Sequence, residues 1–200
     1  MDAPPIVLAS ESASRATLLA NAGVVFTVDP AHADEDAVKQ AMRAEGAAAA
    51  DVGQALSELK ATRKSNQHPG ALVIGADQML ECGGEWFDKP AGKAAARVQL
   101  QALSGRTHTL ESAVCVAREG VVIWHHRESA RLTMRHLSEA FVTAYLDGEG
   151  VAAATSVGGY QIEGKGAQLF SEISGDYFAI LGLPLLPLLA FLREHGVLVT

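Results

Sequence analysis

Between Leu72 and Pro90 an acid and a base fall where they could share one site. Asp77 follows the apolar run Leu72, Val73, Ile74 and the small pair Gly75-Ala76, while Lys89 lies beyond Cys82-Gly83-Gly84. That tripeptide reads as a hairpin turn, so the chain doubles back and can bring Lys89 beside Asp77. A carboxylate and an ammonium on one cleft could hold a divalent ion, activate water and neutralise phosphate. The plainer reading has Asp77 capping a loop and Lys89 in water, since charged side chains are mostly exposed.

Other residues extend the same chemistry. Ser10, Ser12, Ser14 and Arg15 lie in SESASRATLLANAG, where a strand feeds a helix N-terminus. Free N–H groups, hydroxyls and a guanidinium there suit an anion such as a triphosphate, although helix capping alone also explains the serines. Asp34, Glu35 and Asp36 open the next helix, where acids complement the dipole and one could also bind a metal. Lys60 borders an apolar stripe of Val52, Ala55, Leu56 and Leu59, and can send its ammonium into a cleft or into solvent. Gln161, Glu163 and Lys165 sit among the glycines from Gly158 to Gly166, which in a strand pattern mark close approach of a ligand or of another chain segment.

These residues need a scaffold of alternating strands and helices. Ile6 to Ala9 reads as a short buried strand, followed by a helix ending at Gly23 and a second strand over Val24 to Val28. A long helix is expected from Ala47 to Arg63, then the Asp77 to Lys89 hairpin, then a helix through Ala94, Val98 and Leu103. Strands follow over Thr109 to Ala117 and Val121 to Trp124, and the period of two from Arg127 to Arg135 marks a half-buried antiparallel strand with its arginines in water. Ser138 caps a helix that Asp147-Gly148 stops. Phe178 to Leu192 is expected to be a buried strand end and a core-packed helix, being too short and too broken by prolines to span a bilayer.

Composition narrows the classes. Of 200 residues 48% are hydrophobic and 20% charged, ordinary for one soluble domain. With 16 basic and 23 acidic residues the formal charge of -7 argues against a nucleic-acid partner. Two cysteines, Cys82 and Cys115, suggest neither a disulfide framework nor a thiolate metal site, which fits a reducing cytoplasm. The N-terminus lacks the features of a signal peptide, and no membrane association is expected. No Walker A loop, dinucleotide fingerprint, nucleophile elbow or zinc-protease motif is found.

Taken in order, Leu8-Ala9-Ser10-Glu11-Ser12 with Arg15, Asp34-Glu35, Lys60-Ala61, Gly75-Ala76-Asp77-Gln78, Lys89-Pro90, Ser104-Gly105-Arg106-Thr107-His108, Glu163-Gly164, Gly175-Asp176-Tyr177 and Gly182-Leu183-Pro184-Leu185 resemble the Maf family of nucleoside triphosphate pyrophosphatases along nearly the whole chain. The resemblance implies a single Maf-like domain over 1–200. Its fold would be an elongated α/β structure like that of the Maf and ITPase proteins, a mixed twisted sheet flanked by helices, with two lobes around a central cleft. It further implies a cytoplasmic house-cleaning hydrolase that cleaves a nucleoside triphosphate between the α and β phosphates, giving monophosphate and pyrophosphate with Mg²⁺ or Mn²⁺. Carried over, Asp77 and Glu35 hold the metal, Asp77, Glu35, Lys60 and Lys89 serve catalysis, and Ser10, Ser12, Ser14, Arg15, Gln78 and Glu163 bind substrate. The family is often dimeric, which leaves a homodimer open.

Departures from the family pattern bear on the base. Where the dTTP- and UTP-preferring branch reads proline, arginine, arginine, this chain has Ala13, Ser14, Arg15; the usual threonine and glutamine are replaced by Gln78 and Glu163, and the usual Asp-Lys pair by Thr155 and Ser156. Gln78 with Glu163 resembles the 7-methyl-GTP branch. An ionised Glu163 is acceptor-only and can take both donors of a guanine edge, whereas it would repel the carbonyls of uracil or thymine. The side chain that stacks on the base is left unidentified. Preference for dTTP or UTP within the same family, and a non-catalytic nucleotide-binding regulator of cell division, are the alternatives.

Overall fold

The computed structural model describes residues 3–149 and 155–199. Among these, seven strands and seven α-helices form an α/β fold around a mixed open sheet. In chain order the elements begin β1 Ile6–Leu8, α1 Ala13–Asn21, β2 Thr27–Val28, α2 Glu35–Ala44, α3 Ala49–Ser65, β3 Leu72–Cys82 and β4 Glu85–Phe87. They continue with α4 Lys93–Leu103, β5 Thr107–Arg118, β6 Val121–Met134, α5 Glu139–Glu149, β7 Phe170–Ser174, α6 Tyr177–Ile180 and α7 Leu185–Glu194. The strands are hydrogen-bonded in the order β2-β1-β3-β5-β6-β7, with β4 also paired to β3. Two compact units result: Met1–Gln78, Ser112–Glu128 and Asp176–Thr200 make the first, Met79–Glu111 and Ser129–Gly175 the second.

In the first unit β1 runs parallel to β2 and β3, with Ile6, Val7 and Leu8 opposite Leu72, Val73 and Ile74. Parallel strands covered on both faces need apolar residues at every position, which is why these runs do not alternate. On one face Ile6, Leu8, Leu72, Ile74, Ala76, Val114 and Val116 pack with Leu19 of α1 and Leu188 and Leu192 of α7. On the other the residues are smaller: Val7, Ala9, Ala31, Ala71 and Val73 form one cluster, and Ala61 packs with Cys115 and Ala117 in another.

In the second unit β4 returns on β3 with Leu80 opposite Phe87 and Cys82 opposite Glu85, the hairpin expected at Gly83-Gly84. Antiparallel pairing of β6 with β7 sets Leu132 opposite Ile173, with an irregularity between Thr133 and Met134. The alternation anticipated after Arg127 is present, since Ala130, Leu132 and Met134 are buried while Arg127, Ser129 and Arg131 are exposed.

Several boundaries differ from the sequence expectation for local reasons. Val24 closes the C-terminal end of α1 from just beyond it, its N–H bonding the Leu19 carbonyl at 3.1 Å and its side chain buried, so β2 shrinks to Thr27–Val28. Val121 to Trp124 and the strand after Arg127 are one continuous β6, because nothing at His125-His126 turns the chain. Helix α5 continues past Gly148 to Glu149. The glycine-rich segment is not extended but folds as two 3-10 turns, Val157–Gly159 and Lys165–Leu169. No strand end leads into the last helix; Asp176 caps α6, its carboxylate accepting from the Ala179 N–H at 2.8 Å. No helix among the described residues is long and apolar enough to cross a membrane.

Candidate active site

The pleat of β3 decides which side each residue serves. Val73, Gly75 and Asp77 point one way, Ala76 and Gln78 the other. Against the first face lies α3, and it lies very close: a Cβ built on Gly75 would stand 2.1 Å from the Ser57 carbonyl oxygen and 2.8 Å from the Ala61 nitrogen. Only a glycine admits that approach. The neighbour of Ala61 on the helix is Lys60, whose ammonium therefore arrives at Asp77, one pleat beyond Gly75.

Lys60 and Asp77 are both buried, and Nζ donates to Asp77 Oδ1 at 2.6 Å. The same ammonium lies 3.0 Å from Glu35 Oε1. Of the three acids opening α2 the fold selects the middle one, because Asp34 is spent as N-cap, accepting from Ala37 N–H at 3.1 Å. Two carboxylates from β3 and α2 thus converge on one cation from α3.

Arg15 completes the group from α1. It is buried, and its Nε donates to the Gly182 carbonyl at 2.8 Å while NH1 donates to the Ala76 carbonyl at 2.9 Å and to Ser10 Oγ at 3.0 Å. Burial pulls its pKa down from the usual arginine range, and the charges of Asp77 and then Glu35 oppose that shift. Ser10 also accepts from the Ser12 N–H at 3.3 Å, and Ser12 caps α1 by accepting from the Arg15 N–H at 3.4 Å. Ser14 is half-buried in the first turn of that helix. The plain capping role is therefore realised at Ser12, while Ser10 is tied to the guanidinium.

Gln78 follows its own side of the pleat. Its Nε2 is directed at Ser112 Oγ at 2.9 Å and at the Ala179 and Ile180 carbonyls at 3.0 and 3.1 Å, satisfying oxygens at the end of α6. Ser112 donates to the Ala179 carbonyl at 2.7 Å. Sequence reasoning passed over Ser112; the available signal was a hydroxyl on a strand face otherwise filled by Leu110, Val114 and Val116, where a buried polar group must find a partner. Lys89 and Glu163 lie in the second unit, both exposed, Lys89 after β4 and Glu163 between the two 3-10 turns. Within that unit Gln99 donates to the carbonyl of Asp88, the residue before Lys89, at 2.8 Å.

The donor chemistry of Asp77 and Glu35 suits a small hard cation, since two carboxylate oxygens already converge on a positive centre. Among the described residues no group of three or more His, Cys, Asp or Glu could hold a metal. Two carboxylates with a substrate's phosphate oxygens are a set Mg²⁺ accepts, whereas zinc would ask for nitrogen or sulfur ligands. Neither cysteine is poised as a nucleophile: both are buried, and burial raises both thiols, Cys115 to about 12.

Known proteins are similar to this chain over nearly its whole length. A family profile described as "Maf-like protein" matches residues 5–195. A protein of Paramagnetospirillum magneticum named nucleoside triphosphate pyrophosphatase is 58% identical over 193 residues, covering 96% of this chain and 100% of its own length. One from Rhodospirillum rubrum with the same name is 52% identical, covering 98% of each chain. A Brucella abortus protein named 7-methyl-GTP pyrophosphatase is 52% identical over 190 residues, covering 95% of this chain and 96% of its own.

Proposed function

The chain belongs to the Maf-like protein family, and from that premise we propose that it is a nucleoside triphosphate pyrophosphatase whose chemistry is centred on Asp77, Lys60 and Glu35. Water attacks the α–β phosphoanhydride of the substrate, and nucleoside monophosphate and pyrophosphate leave. The observation that carries this reading is the meeting of two carboxylates on one buried ammonium, with an internally braced arginine beside them.

Asp77 accepts a proton from the attacking water, its position held by the pleat of β3 and by Lys60. Lys60 then has a phosphate oxygen as an additional partner, and Lys89 supplies a second ammonium. Arg15 is held by three internal acceptors, so it presents its charge without reorganising, which is where electrostatic stabilisation is most effective. Ser10 offers its hydroxyl at the same helix start, with Ser12 and Ser14 beside it. The charges of Lys60, Arg15, Asp77 and Glu35 sum to zero, so a bound triphosphate calls for further positive charge. Asp77 and Glu35 would hold Mg²⁺ or Mn²⁺, which when bound neutralises phosphate oxygens and polarises the bond to be broken.

For the base we propose 7-methyl-GTP, with Glu163 accepting from the guanine edge and Gln78 beside Asp77 as the second marker of that preference. The name carried by the Brucella abortus relative supports this choice over dTTP or UTP. The test is pyrophosphate release across canonical and modified triphosphates, with and without Mg²⁺. Asp77→Asn should abolish release while nucleotide still binds; unchanged turnover removes Asp77 from the mechanism. Binding of nucleotide without turnover on any triphosphate would favour a regulator instead.

A further inference from the structure

Within the second unit the loop that carries Glu163 is anchored by a buried polar contact. The Tyr160 hydroxyl and His108 Nε2 are 2.7 Å apart, with Tyr160 4% and His108 1% exposed. His108, on β5, also packs its ring 5.9 Å from Phe170, and Phe170 meets Tyr160 edge-on at 4.9 Å. One imidazole therefore touches residues at both ends of the loop, before and after Glu163. Next to this anchor the Tyr145 hydroxyl of α5 donates to the Gly159 carbonyl at 3.4 Å. The loop also closes on itself, for a Cβ at Gly166 would stand 2.2 Å from the Gln161 carbonyl oxygen. Residues 163–165 are exposed between these fixed points.

Packing alone does not call for a histidine here. Its Nδ1 is buried with no partner among the described residues, an arrangement less favourable than a phenylalanine of similar shape would have. Burial also holds the imidazole down at about 4, so it is neutral near pH 7 and brings no charge into the core. What a histidine supplies and a hydrocarbon does not is direction, since a buried hydrogen bond of fixed geometry admits one loop position where apolar packing would tolerate several.

We propose that the His108–Tyr160 hydrogen bond sets the position of the loop presenting Glu163, making both positioning residues for recognition of the nucleobase. This rests on the reading that Glu163 contacts the base, and it has its own readouts. The quantity to measure is the ratio of kcat/KM for 7-methyl-GTP over UTP in the unaltered enzyme, Tyr160→Phe and Glu163→Gln, with hydrogen exchange of amides 161–165. Tyr160→Phe should lower the ratio about ten-fold, chiefly through KM for the guanine nucleotide, and speed exchange in 161–165 several-fold. His108→Gln, which keeps a side-chain group able to hydrogen-bond the Tyr160 hydroxyl, should retain more of the ratio than His108→Leu. A ratio lowered by Glu163→Gln but unmoved by Tyr160→Phe overturns the proposal and leaves the role of Glu163 standing. A ratio unmoved by Glu163→Gln overturns that role and base positioning with it. Unchanged exchange in Tyr160→Phe shows separately that the bond does not hold the loop.

Discussion

The surroundings of Asp77 and those of Tyr160 are both buried and polar, yet they are built on opposite terms. Around Asp77 the groups are charged, come from four elements of regular structure, and balance, two carboxylates against Lys60 and Arg15. Around Tyr160 they are neutral and aromatic, and they secure an irregular loop whose own acid, Glu163, is left exposed. The difference follows from what each has to do. A charge out of water is tolerated only with partners in place, so it needs strands and helices that cannot drift. A recognition loop needs its acid accessible, and a neutral pin restrains the backbone without bringing another charge into the core.

The contrast can be broken most severely at Lys60. Lys60→Met leaves two carboxylates facing each other, and we expect pyrophosphate release to fall by about 10²–10³. It should also cost about 3–5 kcal/mol of stability, measured by urea unfolding, because a buried ion pair loses one partner. Full turnover in this variant would mean that the ammonium is only structural. Gly75→Ala tests the scaffold without touching a charge: the new Cβ collides with the backbone of α3, which must shift and carry Lys60 with it. Roughly 3 kcal/mol of destabilisation and reduced turnover are expected; a Cβ accommodated without loss of either would show that close helix contact is dispensable.

The smallest effect separates the neutral region by pH. His108 has its folded pKa lowered to about 4 by burial, below the unfolded value near 6.5, so the unfolded chain takes up the proton first on acidification. Its contribution is intact above about pH 6.5, falls as pH drops toward 4, and is constant below that. Between pH 7.5 and pH 5 the loss is on the order of 2 kcal/mol. His108→Gln removes this titration, so its stability relative to the unaltered chain should improve by about that amount over the same interval in urea unfolding. An unchanged difference would mean that His108 is not buried as neutral imidazole.

Much of the framework could be read directly. Apolar runs marked β1 and the start of β3, the serines from Ser10 to Ser14 and the acids from Asp34 to Asp36 announced their helices, and Gly83-Gly84 announced a hairpin, because each signal is contained in a few neighbouring residues. Boundaries slipped where a short pattern had two outcomes: Val24 looked like the start of a strand until its N–H closed α1, and the glycines after Val157 looked extended until they turned.

What the sequence by itself determined, then, is the inventory: which acids, cations and hydroxyls are available, and on which kind of element each sits. Tertiary structure alone decided their company. It chose Glu35 over Asp34 and Asp36 for Lys60, turned Arg15 inward onto Gly182 and Ala76, and sent Gln78 to Ser112 and α6 while its neighbour Asp77 faced α3. The physical reason is that strand pleat and helix period are local, whereas the meeting of Lys60 with Asp77 depends on α3 settling against the bare backbone of Gly75, a contact made only when the chain has folded.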